Sequence, residues 1–228
     1  MNILTIIPAR IGSKGIPEKN LHKIGDYTLV ERALFTAMKT DILDDILVST
    51  DSLRIQKLIN QYGEYAPFLR PKELATDTAG SLGVIQHGLK WAEINYNKKY
   101  NYIVLLEPPS PFRLPIHIKQ AIDIAINKQA TSVVSLIEVG DYHPIRMKKM
   151  NSDGKLKGVI GNEPDGLRRQ DQEPVYIRNC AVYVFSTQTI HDNKLWGKSS
   201  FGFEMDRNLF GINIDEPNDL RFLRVFYQ

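Results

Sequence analysis

Short apolar runs alternate with stretches of helical periodicity over residues 1–139, and this alternation limits the possible folds more than any other feature. Aliphatic and β-branched runs predict strands at residues 3–7, 46–49, 102–106 and 131–139. Apolar residues spaced three and four apart predict helices at residues 28–38, 53–62, 81–95 and 116–126. Strand and helix repeated in this order predict an α/β fold, with a mostly parallel sheet covered by helices on both faces.

The regular alternation ends near residue 140, where charged, glycine-rich and aromatic stretches replace it. We interpret residues 140–203 as a subdomain inserted into a single domain of residues 1–228, with short strands at 175–177 and 181–185. The chain is then expected to return to the core at 209–214 and to close with a helix at 218–226.

Composition is that of an ordinary globular protein, with 43% hydrophobic and 24% charged residues in 228. A net charge of +3 is too small for a nucleic-acid-binding protein, so no such partner is expected. The single cysteine, Cys180, excludes an intrachain disulfide and a thiolate metal cluster. The first apolar run is too short for a signal segment or a membrane span, so we expect a cytoplasmic protein without a membrane partner.

The loop that follows the first predicted strand, at residues 9–20, combines two glycines with Arg10, Lys14 and Lys19. In parallel sheets, ligands bind at the carboxyl ends of the strands, where this loop lies. Glycines allow close backbone approach, and the cations can face phosphates. The loop has neither a Walker A nor a G-x-G-x-x-G pattern. It therefore predicts a phosphate site of another kind, and the alternative is a surface loop with solvated lysines.

The string IIPARIGSKGIPEKNL, which contains this loop, resembles the signature of the N-acylneuraminate cytidylyltransferases. Further strings agree with that family in order and spacing, namely VSTD, LRPKELATDTA, LLEPPSPFR, SVVSL, RRQDQEPVYIRNCAVYVF and NIDEPNDL. The resemblance spans nearly the whole chain. It implies a Rossmann-like nucleotidyltransferase that transfers CMP from CTP to the anomeric hydroxyl of a sialic-acid-like nonulosonic acid. The sugar would be of the N-acylneuraminate, legionaminate or pseudaminate type, and pyrophosphate would be released.

The resemblance also implies the roles of several residues toward the nucleotide. Those implied to hold the triphosphate are Arg10, Ser13, Lys14 and Lys19, and those implied to lie near the base are Asn20 and Arg70. A planar guanidinium suits the carbonyl acceptor of cytosine, although Arg70 can also be a charge at a helix end. Glu107 stands where the family has a glutamine that contacts the nucleotide. Its carboxylate can accept hydrogen bonds but cannot donate them, so ribose binding and help to a metal site both remain open.

Asp215 matches the metal-binding aspartate of the family, and with Arg10 and Lys19 it forms the implied catalytic group. Asn213 stands where the family commonly has a second aspartate. Residues i and i+2 of a strand share one face, so both side chains are expected to meet one Mg²⁺ ion. The alternative for Asp215 is a helix N-cap ahead of Pro217.

The implied sugar-binding residues lie in the inserted segment and are Arg169, Gln170, Asn179 and Tyr183. An arginine fork suits a carboxylate, which makes Arg169 the first choice, while a solvated basic hairpin is the alternative. Cys180 replaces a glycine that is frequent in the family. The expected partners are CTP, an acidic nine-carbon sugar and a second copy of the chain, toward whose site the inserted segment would reach.

Two other functions remain open at the level of the sequence. One is a related sugar nucleotidyltransferase, which activates Kdo or uses a guanine nucleotide. The other is a non-catalytic nucleotide-binding regulator of the same fold, for which Glu107 and Asn213 are the only indications.

Overall fold

A computed structural model describes the backbone of residues 1–226 and their side chains, except those of Arg169, Leu209 and residues 222–226. The strands in this part are β1 (Ile3–Pro8), β2 (Lys23–Ile24), β3 (Tyr27–Thr28), β4 (Asp45–Ser49), β5 (Tyr102–Leu105), β6 (Ser132–Glu138), β7 (Lys148–Met150), β8 (Leu156–Gly158), β9 (Tyr176–Ser186) and β10 (Ser200–Glu204). The helices are α1 (Leu29–Met38), α2 (Leu53–Ile59), α3 (Ser81–Asn95), α4 (Pro115–Asn127), α5 (Thr187–His191), α6 (Arg207–Phe210) and α7 (Pro217–Phe226).

The central sheet has six strands in the order β10-β6-β9-β5-β1-β4. β1 pairs in parallel with both β4 and β5, and β10 pairs in parallel with β6. β9 is antiparallel to both of its neighbours. The prediction of a mostly parallel sheet is therefore confirmed, and the carboxyl ends of β1, β4 and β5 meet at one edge.

Helices cover both faces of the central sheet, and the side chains of β1 alternate between the two cores that result. Ile3 and Ile7 lie in the core formed with α1, α2 and α4. Leu4 and Ile6 lie in the opposite core with α3. Gly88 lets α3 approach closely, since a Cβ there would lie 2.9 Å from the Ile6 Cδ1 atom. Among the described helices, none is both long and apolar enough to cross a bilayer.

The segment outside the sheet is shorter than the predicted insertion at residues 140–203. β9 and β10 belong to the central sheet, so within residues 140–203 the parts outside it are 140–175 and 187–199. The two predicted strands at 175–177 and 181–185 are one strand, β9, whose pairing with β6 shifts between Val134 and Leu136. The chain returns to the core at residues 209–214 as expected, since Phe210 packs against the main core and Ile214 is fully buried with Ile212 beside it, although the backbone after α6 is irregular.

Candidate active site

A cleft opens at the edge where β1, β4 and β5 end, with a volume of about 250 Å³. Seven of the predicted site residues line it: Arg10, Ser13, Lys19, Asn20, Arg70, Glu107 and Asp215. They come from four separate parts of the chain, which the strand order brings together. Their convergence follows the general rule that ligands bind at the carboxyl ends of parallel strands.

The loop at residues 9–20 is held by hydrogen bonds to the neighbouring strand end. The Ala9 amide donates to the Ser49 carbonyl at 2.9 Å. The Ile11 amide donates to Asp51 Oδ1 at 2.9 Å, so Asp51 orders this loop. Gly15 packs against the backbone of Asp215, since a Cβ on Gly15 would lie 2.1 Å from the Asp215 carbonyl oxygen. The loop and Asp215 are therefore fixed relative to each other.

Each of the three loop cations is paired with a carboxylate. Arg10 Nη1 lies 2.7 Å from Asp77 Oδ1, and Lys14 Nζ lies 3.5 Å from Asp77 Oδ2. The hydrogen bond from Arg10 holds the pKa of Asp77 below its usual value. Lys19 Nζ lies 2.7 Å from Asp215 Oδ1. Lys14 is 79% exposed and lies outside the cleft wall, so the structure does not bring it into the site with Arg10 and Lys19.

Asn20 is only 6% exposed, and its Nδ2 group donates to the Arg10 carbonyl at 2.8 Å. Its Oδ1 atom has no hydrogen-bond partner among the described residues. A buried acceptor without a donor is costly, so a ligand donor reaching into the cleft would be stabilised here.

Arg70 is buried, and burial lowers the pKa of its guanidinium to about 10. Its Nε donates to Ser49 Oγ at 3.1 Å and its Nη1 to the Leu74 carbonyl at 3.4 Å, while Nη2 donates to the Ser49 carbonyl. The guanidinium thus forms part of the cleft wall while tying the end of β4 to the segment that precedes α3.

Glu107 lies directly beyond β5, and its burial raises the pKa of its carboxyl group. The Cys180 thiol hydrogen-bonds to this carboxyl, and it also contacts Tyr183 and Asn213. Arg113 supports the same turn from behind. Its Nη1 donates to the Ala181 carbonyl at 2.7 Å and its Nη2 to the Glu107 carbonyl, and burial lowers the pKa of this arginine to about 9.

Asn213 and Asp215 do not share a strand face, because irregular backbone separates α6 from α7. Asn213 Oδ1 accepts a hydrogen bond from Ser110 Oγ, and Asn213 is not part of the cleft wall. The expectation that strand alternation directs both side chains to one ion is therefore wrong. Asp215 is not a helix N-cap either, since α7 begins at Pro217, which is preceded by Glu216, and the Asp215 carboxylate accepts from Lys19 Nζ.

The donor set of the cleft suits a hard cation such as Mg²⁺. Asp215 and Glu107 provide carboxylate oxygens on one wall of the cleft. The described residues contain no cluster of three acidic, histidine or cysteine side chains that would enclose a metal. Mg²⁺ is commonly bound through one or two carboxylates and takes its remaining ligands from substrate phosphates and water. The residues present therefore fit the ion.

The predicted sugar-binding residues are not gathered in the cleft. Asn179 is 3% exposed, its Oδ1 accepts from Ser135 Oγ at 2.6 Å, and its Nδ2 donates to the Phe210 carbonyl at 3.2 Å. Both ends of this amide serve the fold, so its placement does not favour direct sugar binding. Tyr183 is buried on β9, with its side chain beside Cys180. Gln170 is exposed outside the cleft wall, and the side chain of Arg169 lies outside the described residues.

Two important residues are absent from the sequence-based site, Asp77 and Arg113. Both lie inside strings that carry the family resemblance, LRPKELATDTA and LLEPPSPFR. Their place in these strings is the feature of the sequence that could have identified them as site residues. Their partners could not be read from local spacing. Asp77 pairs with Arg10, 67 residues away, and Arg113 with the Ala181 carbonyl, 68 residues away.

The fold and the cleft together define an α/β protein in which cations and two carboxylates line one cleft at the carboxyl ends of parallel strands. Comparison with known proteins places it more narrowly. The sequence model of the family described as Cytidylyltransferase matches residues 4–227, and the chain belongs to this family.

Two relatives and one solved structure illustrate the similarity. The chain is 31% identical over 225 residues to the CMP-N,N'-diacetyllegionaminic acid synthase of Legionella pneumophila, covering 96% of this chain and 91% of that protein. It is 30% identical over 222 residues to the N-acylneuraminate cytidylyltransferase of Streptococcus agalactiae serotype V. That alignment covers 96% of this chain and 52% of the relative, so the chain spans about half of its length.

A solved structure of CMP:2-keto-3-deoxy-manno-octonic acid synthetase complexed with CTP has the same fold. Its TM-score is 0.71 at 14% identity, with 100% of this chain and 98% of that one covered.

Proposed function

We propose that the protein is a cytidylyltransferase that transfers CMP from CTP to a sialic-acid-like nonulosonic acid and releases pyrophosphate. The convergence of Arg10, Lys19, Asn20 and Asp215 in one cleft at the strand ends carries this proposal. The names of the relatives support the substrate class, because they specify N-acylneuraminate and legionaminate sugars. They do not favour a Kdo-activating enzyme, a guanylyltransferase or a non-catalytic regulator.

In the proposed reaction, the anomeric hydroxyl of the sugar attacks the α-phosphorus of CTP in line, and the bond to pyrophosphate breaks. Arg10 and Lys19 stabilise the charge that develops on the leaving pyrophosphate. Triphosphate binding replaces Asp77 as the partner of Arg10, since a phosphate carries more charge than the carboxylate it displaces. Ser13 adds a hydroxyl donor at the cleft wall. Lys14, exposed outside that wall, is proposed to contact the outer phosphate only once CTP is bound.

Cytosine recognition is assigned to the Asn20 end of the cleft. The unpartnered Asn20 Oδ1 atom can accept from the exocyclic amino group of cytosine, which guanine and uracil do not offer in the same place. Arg70 forms the adjoining wall and keeps it rigid through its bonds to Ser49 and Leu74.

Mg²⁺ is the proposed cofactor, and Asp215 is its first protein ligand. When bound, the ion neutralises phosphate charge during the transfer. Lys19 holds the Asp215 carboxylate at 2.7 Å and so keeps it at the cleft wall before the nucleotide arrives.

Recognition of the acidic sugar is assigned to Arg169 and Gln170, which lie on the segment outside the sheet. Asn179 and Tyr183 support this end of the cleft from within the fold, by shaping the irregular part of β9 around Cys180. We also propose a cytoplasmic location for the enzyme.

A homodimer is also proposed. β7 and β8 form a two-stranded ribbon on which nearly every residue is exposed. Such a ribbon is only marginally stable alone, so another surface is needed to cover it. The exposed apolar side chains of this segment are Tyr142, Met147, Met150, Leu156, Val159 and Ile160, and a second copy is the proposed cover.

Replacement of Arg10 tests the proposed reaction. Arg10→Ala is expected to lower pyrophosphate release from CTP and a panel of nonulosonic acids by about a hundredfold or more, because it removes one fixed positive charge from the leaving group. Lys119→Ala, which removes a cation from the exposed face of α4, is the matched control and should turn over like the wild type. Near-normal turnover of a folded Arg10→Ala protein would contradict the assignment of the loop. CTP binding without turnover for any sugar would favour the regulator.

A further inference from the structure

Glu107 places a carboxylate in the cleft wall, and the proposed reaction gives this carboxylate no role. It lies close enough to Asp215 for the two negative charges to repel each other. The charge of the buried Arg113 favours the ionised form of Glu107, but Arg113 Nη1 and Nη2 donate to the backbone carbonyls of Ala181 and Glu107 and not to the Glu107 carboxylate. The hydrogen bond found at that carboxylate comes from the Cys180 thiol, which is a weak donor.

Glu107 is a half-buried carboxylate that faces the substrate cleft, and no N–H or hydroxyl group of the described residues donates to its carboxylate oxygens. Burying a charge is costly unless a counter-charge or strong donors replace its lost water. Lys19 is the other cation near this wall, but its ammonium group lies against Asp215. Arg113 and Lys19 both attract the Glu107 carboxylate, but neither donates a hydrogen bond to it. The Glu107 oxygens are therefore open to a cation in the cleft.

Asn213 does not share this position. Its Oδ1 is taken by Ser110 Oγ, and its side chain lies behind the wall, against Cys180. Glu107 and Asn213 thus approach the same thiol, but of the two only Glu107 faces the cleft. A carboxylate oxygen is also a stronger ligand for a hard cation than an amide oxygen.

We propose that Glu107, and not Asn213, is the second protein ligand that joins Asp215 in holding the divalent cation. The inference rests on the proposed function, since the cation would arrive with CTP and take its remaining ligands from phosphate oxygens and water. It also accounts for a carboxylate so near a triphosphate, which would repel the nucleotide without an intervening positive charge.

The test uses Mn²⁺ as the probe, with electron paramagnetic resonance titration of the full chain in the presence of CTP. Glu107→Gln keeps the shape of the side chain and removes its charge. It is expected to weaken Mn²⁺ binding by about tenfold or more, as Asp215→Asn should. Glu216→Gln removes a neighbouring exposed carboxylate outside the cleft wall and should leave Mn²⁺ affinity unchanged. Thermal melting of each variant shows that it is folded.

CTP binding by calorimetry in EDTA separates the metal role from ribose binding. If Glu107 serves the cation, metal-free CTP should bind Glu107→Gln as tightly as the wild type or more tightly, because a repulsive charge is gone. Unchanged Mn²⁺ affinity in Glu107→Gln would overturn the inference, and weaker metal-free CTP binding alongside it would assign Glu107 to the ribose hydroxyls. A wild type that binds no CTP under any condition would instead overturn the proposed function itself.

Discussion

Gly15 is required for packing within the protein, although its position in a cationic loop suggests a role in phosphate binding. Within a glycine-containing loop beside cations, the sequence indicates that both glycines admit phosphate. The structure assigns Gly15 another role, because it is pressed against the Asp215 carbonyl. A Cβ on Gly12 would meet no atom within 4 Å, and Gly12 lines the cleft, so it is the glycine that leaves room for a phosphate.

Alanine at these two positions should therefore have different effects on stability. Gly15→Ala is expected to destabilise the protein by about 1–3 kcal/mol, because its methyl group cannot fit without moving the backbone near Asp215. Gly12→Ala should stay within about 0.5 kcal/mol of the wild type. Urea unfolding of the ligand-free proteins measures both changes. Equal stability of the two variants would show that the loop does not pack against Asp215 as described.

At the scale of elements, the sequence predicts most of the first 139 residues closely, and α3 coincides with its predicted range. These elements follow from local periodicity. The sequence predicts two strands where the structure has the single strand β9, whose pairing with β6 is irregular around Asn179 and Cys180. Cys180 has a φ of 58°, in the region that favours glycine. This backbone conformation explains why glycine is frequent at the position in the family. That irregular pairing depends on contacts between distant segments of the chain, which local periodicity does not reveal.

The start of α1 is an element whose stability should depend on pH. The Thr28 amide donates to Glu31 Oε2 at 2.7 Å, and the Glu31 amide donates back to Thr28 Oγ1 at 3.3 Å. Tyr62 donates to Glu31 Oε1 at 2.7 Å. Burial alone would raise the pKa of Glu31, but the hydrogen bonds from Thr28 and Tyr62 outweigh it and lower that pKa.

The sign of the effect follows from the lowered pKa. Stability from the ionised Glu31 is present above its unfolded pKa of about 4.3 and is lost as pH falls through the lower folded value. Glu31→Gln should therefore cost about 1 kcal/mol at neutral pH and progressively less below pH about 4. Urea unfolding of both proteins across this range measures the difference, and exposed Glu64→Gln is the control. A cost that stays constant to low pH would contradict this role.

For the whole molecule, the sequence predicts which chain segments meet but not how their side chains pair. The rule for strand ends placed the loop of Arg10 at the site, and the family resemblance placed Arg70, Glu107 and Asp215 there; all four line one cleft. The partners of these residues were not predictable, because Asp77 and Arg113 reach them across the fold. The contacts of Asn179 were not predictable for the same reason, since local spacing does not reveal that its amide is satisfied by Ser135 and Phe210.

Association of two copies is the prediction that concerns the molecule as a whole. On the ribbon segment, Met150 is 71% exposed and Ile160 is 60% exposed. Burying such side chains at an interface is favourable by about 25 cal/mol for each Å² of apolar surface removed from water. Light scattering coupled to gel filtration should therefore give the mass of two chains for the wild type.

Charged substitutions locate the interface within the molecule. Met150→Lys and Ile160→Lys should shift the mass toward one chain, because each would bury a lysine without a partner. Ile94→Lys is the matched control, since Ile94 is 67% exposed on α3, and it should remain dimeric. If the ribbon also completes the neighbouring site, the monomeric variants should have a raised KM for the sugar and an unchanged KM for CTP. A monomeric wild type, or equal dissociation by Ile94→Lys, would contradict the assignment of this face.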